Sequence, residues 1–124
     1  PIHPRISDKK LLNKIEKLKN IKTVKPLNYE KFIEYCINSK FIISDSGGLQ
    51  EESAILNKTL IIPRKHTERP ELLEVNNFLA KNVNEVIKLS KLALNNQLQV
   101  EKNRLLYGKQ EVIGKMKQKI MSSI

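Results

Sequence analysis

Hydrophobic residues recur along the chain in stretches of helical spacing separated by short continuous apolar runs. Leu11, Leu12, Ile15 and Leu18 fall at helical spacing with lysines opposite, and Ser7 stands where an N-cap belongs, so a first helix is predicted there. Residues 21–24 read as a short strand. Asn28 is placed to cap a second helix to about Ser39, burying Phe32, Ile33, Cys36 and Ile37. The run 41–44 is a second strand. It breaks into Gly47-Gly48, and a helix follows to about Leu56, where Asn57 ends it. Residues 59–62 are continuously apolar, the pattern of a parallel strand covered on both faces, and Pro63 closes them. A polar loop, residues 64–71, leads to a short helix with Pro70 in its first turn, running to about Val75. Residues 77–80 form a weak strand. Asn84 is read as the cap of a helix through Leu94 carrying Val86, Ile87, Leu89 and Leu92. Helical spacing returns from about Val100, is interrupted at Tyr107-Gly108, and ends in a stripe of Val112, Ile113, Met116, Ile120 and Met121.

Strands alternating with helices predict an α/β fold: a Rossmann-like parallel sheet with helices on both faces, binding ligands at the carboxyl ends of its strands. The Gly47-Gly48 turn lies at one such end and the 64–71 loop follows the next strand. Two adjacent glycines remove the Cβ atoms that keep a ligand off the backbone. The helix that follows points unpaired N–H groups and a positive dipole end at the same place, which suits a phosphate. The alternative is a tight turn with no ligand.

The charge changes this picture little. Twenty-three Lys and Arg against 13 acids give a net charge of +10, which raises the possibility of a nucleic-acid or polyanion-binding module. Lysines, however, recur almost evenly from Lys9 to Lys119, and the three Tyr and three Phe are not interleaved with them as a stacking platform requires. A solvated lysine-rich surface is the expectation, with no nucleic-acid partner. The single cysteine, Cys36, excludes an internal disulfide and is expected in the core; two distant histidines give no metal-ligand cluster. No apolar run approaches the ~20 residues of a membrane span, and Pro-Ile-His-Pro-Arg is not a signal peptide. The expected setting is the cytoplasm, with no membrane partner.

Taken together, five motifs resemble the C-terminal part of the non-hydrolysing UDP-N-acetylglucosamine 2-epimerases. They are His3-Pro4; Pro26-Leu27 with Tyr29 and Phe32; Asp45-Ser46-Gly47-Gly48-Leu49-Gln50-Glu51-Glu52; Thr67-Glu68-Arg69-Pro70-Glu71; and Tyr107-Gly108. The resemblance implies two Rossmann-like domains in a glycosyltransferase-B-type arrangement, of which this chain is part of the second. It implies that Ser46, Gly47 and Gly48 hold the UDP diphosphate, that Glu52 accepts from the ribose hydroxyls, and that Arg69 sets a planar cation near the phosphates. Leu27 and Phe32 would border the uracil. His3 is the implied catalytic residue, reaching the diphosphate and helping the departing UDP carry charge. The family reaction removes the C2 proton, expels UDP to leave a glycal, and returns UDP with C2 inverted. No cofactor is implied, in keeping with the lack of a Gly-x-Gly-x-x-Gly pattern, and family members are commonly homodimers acting on UDP-sugars.

The same resemblance sets further expectations. The proton-moving carboxylates belong mainly to an N-terminal domain, so residues 1–124 are expected to be a fragment lacking that domain and the first β-α-β part of their own, inactive alone. Residues 110–124 are the final helix, expected to pack on the absent domain. Lys65-His66 and Lys109-Gln110-Glu111 depart from the family pattern, which leaves His66 without a role. Related epimerases acting on diacetamido-uronic or fucosamine sugars, and hydrolysing epimerases, keep the fold and nucleotide and remain alternatives, with Glu52 and the 67–71 run favouring the UDP-N-acetylglucosamine 2-epimerases.

Overall fold

The computed structural model describes residues 1–2, 8–73 and 75–98. The expectations on His3, Ser7, Tyr107-Gly108 and the final apolar stripe lie outside these residues. A division between Asn38 and Ser39 separates two compact units.

The first unit holds two helices, α1 (Lys9–Glu16) and α2 (Tyr29–Asn38). Asp8, one residue beyond the expected Ser7, is the N-cap of α1, its carboxylate accepting the Leu11 N–H at 3.0 Å. The apolar stripe of α1 is only partly covered: Leu12 and Ile15 are half-buried and Leu11 is exposed. These three residues, with Pro1, Ile2, Ile21, Lys22 and Thr23, line an apolar hollow of about 260 Å³. The strand predicted over 21–24 is not formed. Among the described residues a single backbone bond, Ile2 N–H to Val24 C=O at 2.8 Å, joins this segment to another, and one bond is not a ladder.

Asn28 starts α2 as expected, accepting the Lys31 N–H at 3.0 Å. Its inward stripe is narrower than predicted. Cys36 is buried, Phe32 and Ile33 are half-buried, and Ile37 is 49% exposed. Ile37 sits about 100° around the helix from Cys36, beyond the stripe that Phe32, Ile33 and Cys36 share.

The second unit is an open parallel α/β sheet. Strands β1 (Ile42–Ile43), β2 (Leu60–Ile62) and β3 (Asn77–Leu79) lie in the order β1-β2-β3, with Ile42 opposite Leu60, and Ile61 opposite both Ile43 and Phe78. Successive side chains of β2 point to opposite faces, yet Leu60, Ile61 and Ile62 are all fully buried, so both faces of the central strand are covered as predicted. Helix α3 (Gly47–Ile55) crosses from β1 to β2; a 3-10 turn, Pro70–Leu72, with its buried Leu72 replaces the short helix predicted before β3. Helix α4 (Val83–Leu94) follows β3 and packs on β2.

Local chemistry fixes the helix ends. Asn82, not Asn84, caps α4: its side-chain oxygen accepts the Glu85 N–H at 3.0 Å, while the Glu85 carboxylate reaches back to the Lys81 N–H at 2.8 Å. Helices α3 and α4 stop in the same way. Asn57 and Asn96 take left-handed φ angles of 52° and 55°, and the next N–H groups, of Lys58 and Gln97, return to the Ser53 and Leu92 carbonyls.

Candidate functional site

The carboxyl end of β1 leads in four residues to the start of α3. The Ser44 N–H is held by the Ile61 carbonyl of β2 at 3.1 Å, which ends the sheet pairing, and the Ser44 hydroxyl accepts the Ser46 N–H at 3.2 Å. Ser46 is extended and serves as N-cap, its hydroxyl facing the Leu49 N–H at 3.5 Å. Gly47 and Gly48 are then the first two residues of the helix.

Among the described residues these glycines answer no internal need: neither takes a left-handed φ, and a Cβ built on either meets no atom within 4 Å beyond its chain neighbours and its own helix backbone. Glycine in a helix costs roughly 0.5–1 kcal/mol relative to alanine, and no contact among the described residues offsets that cost here. The N–H groups of Gly47 and Gly48 donate to no group among the described residues. Two donors without a partner among the described residues thus stand at the positive end of a nine-residue helix.

The loop after β2 comes back onto this helix at three points. Arg64 pairs with Asp45 at 3.6 Å, Thr67 donates its hydroxyl hydrogen to the Gln50 side-chain carbonyl at 2.5 Å, and Arg69 Nε meets Glu51 Oε1 at 2.6 Å. The Thr67 hydroxyl also accepts the Arg69 N–H at 3.0 Å, and Arg69 Nη1 lies 3.3 Å from the Glu68 carbonyl. Arg69, predicted beside the glycine turn, is joined to the first turns of α3 through Glu51. Glu52, the predicted ribose acceptor, is half-buried one residue further on, and its carboxylate makes no hydrogen bond or ion pair among the described residues.

Beneath the site the helix is seated by polar groups. Gln50, Ser53, Asn76 and Asn77 are all at most 1% exposed. The Ser53 hydroxyl lies 2.9 Å from the Gln50 carbonyl and 3.0 Å from Asn77 Oδ1, while Asn77 Nδ2 donates to the Gln50 carbonyl at 3.3 Å. Asn76 Nδ2 holds the Ser53 and Lys58 carbonyls at the far end of α3. Asn76 Oδ1 is buried without a partner among the described residues. This cluster ties α3 to the start of β3 in depth, where an apolar contact would allow sliding.

Of the predicted site residues, Ser46, Gly47, Gly48, Glu52 and Arg69 gather in the second unit. Leu27 and Phe32, both half-buried, belong to the first unit, and His3 lies outside the described residues. His66 is exposed in the loop. Sequence reasoning missed Gln50 and Thr67 as a pair and Glu51 as the partner of Arg69. The spacing of Gln50 and Ser53 on one helix face, with Asn76-Asn77 opening the next strand, was the available signal.

The family model for UDP-N-acetylglucosamine 2-epimerase matches residues 1–123. A UDP-N-acetylglucosamine 2-epimerase of Methanococcus maripaludis is 48% identical over 85 residues, which is 64% of this chain and 23% of that protein. The enzyme of the same name from Methanocaldococcus jannaschii is 38% identical over 100 residues, covering 76% of this chain and 27% of the relative. The solved structure of the UDP-GlcNAc 2-epimerase from that organism superposes with a TM-score of 0.66 at 37% identity, over 83% of this chain and 29% of the other. The chain thus spans about a quarter of the length of the curated relatives it matches. With its parallel sheet, its glycine-led helix and the match over residues 1–123, the chain belongs to the UDP-N-acetylglucosamine 2-epimerase family.

Proposed function

We propose that this chain supplies the UDP-binding part of a cytoplasmic, homodimeric enzyme that interconverts UDP-N-acetylglucosamine and UDP-N-acetylmannosamine. The observation that carries the reading is the first turn of α3: two N–H donors without a partner among the described residues, on glycines that none of those residues requires. The diphosphate accepts from Gly47 and Gly48 N–H and from the Ser46 hydroxyl, with Arg69 adding positive charge alongside. Glu52, a carboxylate without a partner among the described residues, accepts from the ribose hydroxyls. Leu27 and Phe32 bordering the uracil, and His3 on the diphosphate, rest on the family resemblance.

The chemistry asked of these residues is stabilisation of a leaving group. When the C2 proton leaves and the C1–O bond breaks, negative charge grows on the diphosphate. Donors already fixed where that charge appears lower the barrier without reorganising. On readdition the same donors hold UDP in place to re-form the bond at C1, while the proton returns to C2 on the opposite face. Proton removal and return at C2 are assigned to carboxylates outside this chain, so the 124-residue chain by itself binds UDP without turnover.

Titration calorimetry with UDP, at two salt concentrations, tests the reading. One site per chain, weakened in Ser46→Ala and Arg69→Ala, is expected; equal binding of any polyanion with a steep salt dependence would point to a basic module instead. Proton NMR of UDP-N-acetylglucosamine incubated with the protein from the complete reading frame tests the reaction, whose sign is the appearance of the C2 epimer.

A further inference from the structure

We propose that Thr67 is a positioning residue for Arg69, acting from Gln50 as its anchor. The inference rests on the reading of Arg69 and the α3 first turn as a diphosphate site. The Thr67 hydroxyl has one hydrogen, and it goes to Gln50 Oε1 at 2.5 Å. Its oxygen is left to accept the Arg69 N–H at 3.0 Å. A hydroxyl that donates in this way is the better acceptor for it, so the two bonds reinforce each other.

The anchor is firm. Gln50 is 1% exposed, and its own carbonyl lies within hydrogen-bond reach of Ser53 Oγ at 2.9 Å and Asn77 Nδ2 at 3.3 Å. The loop is therefore referenced to the buried polar cluster under α3, not to solvent. The next residue on the helix, Glu51, takes Arg69 Nε at 2.6 Å. Two consecutive residues of one helix thus hold one arginine, Gln50 through its main chain by way of Thr67, and Glu51 through its side chain.

Neither attachment suffices alone. The Arg69–Glu51 side chains are 41% and 38% exposed, and a pair so open to water contributes little by itself. A bond to the Arg69 backbone leaves the side chain to rotate. With both, the guanidinium is oriented before any ligand arrives, and binding does not have to order it.

Thr67→Val keeps the shape and removes the hydroxyl, while Thr67→Ser keeps the hydroxyl. In the protein from the complete reading frame, calorimetric titration is expected to show Thr67→Val weakening UDP by roughly three- to tenfold, with Thr67→Ser within about twofold of the parent. Uridine, which lacks phosphates, should bind all three proteins alike. Equal losses in Val and Ser, or a uridine loss as large as that for UDP, overturn the proposal. So does unchanged UDP affinity in Thr67→Val when Arg69→Ala weakens it. Arg69→Ala without effect on UDP sinks the underlying diphosphate reading as well. If Thr67→Val does not fold, Thr67→Ala takes its place, and a serine variant as impaired as the alanine variant is then the overturning result.

Discussion

Replacing Gly48 by alanine should raise stability and lower UDP affinity together, a combination that few substitutions give. Gly48 is the second residue of α3, lacks a left-handed φ, and has no atom within 4 Å of the place its Cβ would occupy. Alanine there removes unfolded-chain freedom that glycine loses on folding, so a gain of about 0.4–1 kcal/mol is expected. The new methyl group points into the space assigned to the diphosphate. It obstructs one charge-assisted bond from a main-chain N–H, for which a loss of roughly 1.5–3 kcal/mol, about ten- to a hundredfold in affinity, is expected. Urea unfolding with an unchanged m-value measures the first effect and UDP calorimetry the second. Destabilisation would show that the space is not open. A more stable variant that binds UDP normally would show that no phosphate lies against this turn.

Other substitutions test the scaffold. Ile61→Ala, on a fully buried central-strand position, should cost about 2–5 kcal/mol in chemical denaturation, more than any surface change. Asn57→Ala should destabilise by roughly 1–2 kcal/mol because alanine lacks the local bonding that eases the left-handed φ of 52°, whereas Asn57→Gly should be neutral or stabilising. Ser53→Ala removes the donor to Asn77 Oδ1 inside the polar cluster and should cost about 1–3 kcal/mol, seen as a lower urea midpoint.

The parts of the fold that were legible in the sequence are those whose cause is local. The Leu60 to Ile62 run reads as a doubly covered strand because it is short, rich in β-branched residues and closed by Pro63, and Asn57 reads as a helix end because asparagine accepts a left-handed φ. Where two local signals competed, the reading chose wrongly: Asn82 and Asn84 both suit a cap, and Glu85 three residues beyond Asn82 decides between them. The segment 21–24 had strand composition but needs neighbours to make a ladder, and neighbours are a tertiary property. The site followed the same division. That the Ser46-Gly47-Gly48 turn and the Arg69 loop meet follows from both lying after adjacent parallel strands. That Arg69 takes Glu51, when Glu68 and Glu71 are closer in sequence, depends on how the loop lies on α3. Burial of Gln50, Ser53, Asn76 and Asn77 was not legible because each polar group is tolerable only in the company of the others.

Charge, the most conspicuous property of the composition, has little to do with the site. Residues 45–71, which contain α3 and the Arg69 loop, hold four basic and five acidic residues, so this stretch is slightly negative while the chain as a whole carries +10. Two of those four cations are already engaged, Arg64 by Asp45 and Arg69 by Glu51. A surface built to track a polyanion would leave its cations to the phosphates and exclude carboxylates from among them. Here carboxylates are interleaved with the cations, and Glu52 stands by the helix start without a partner among the described residues. In the proposed site attraction comes from donors fixed in position, the Gly47 and Gly48 N–H groups at a helix end and the Arg69 guanidinium held by Glu51, and such donors act chiefly on a ligand in contact with them. The lysines elsewhere raise the general potential around the protein; on the proposed reading it is the first turn of α3 that selects which anion stays, with the adjacent carboxylate favouring one that brings hydroxyl groups with its phosphates.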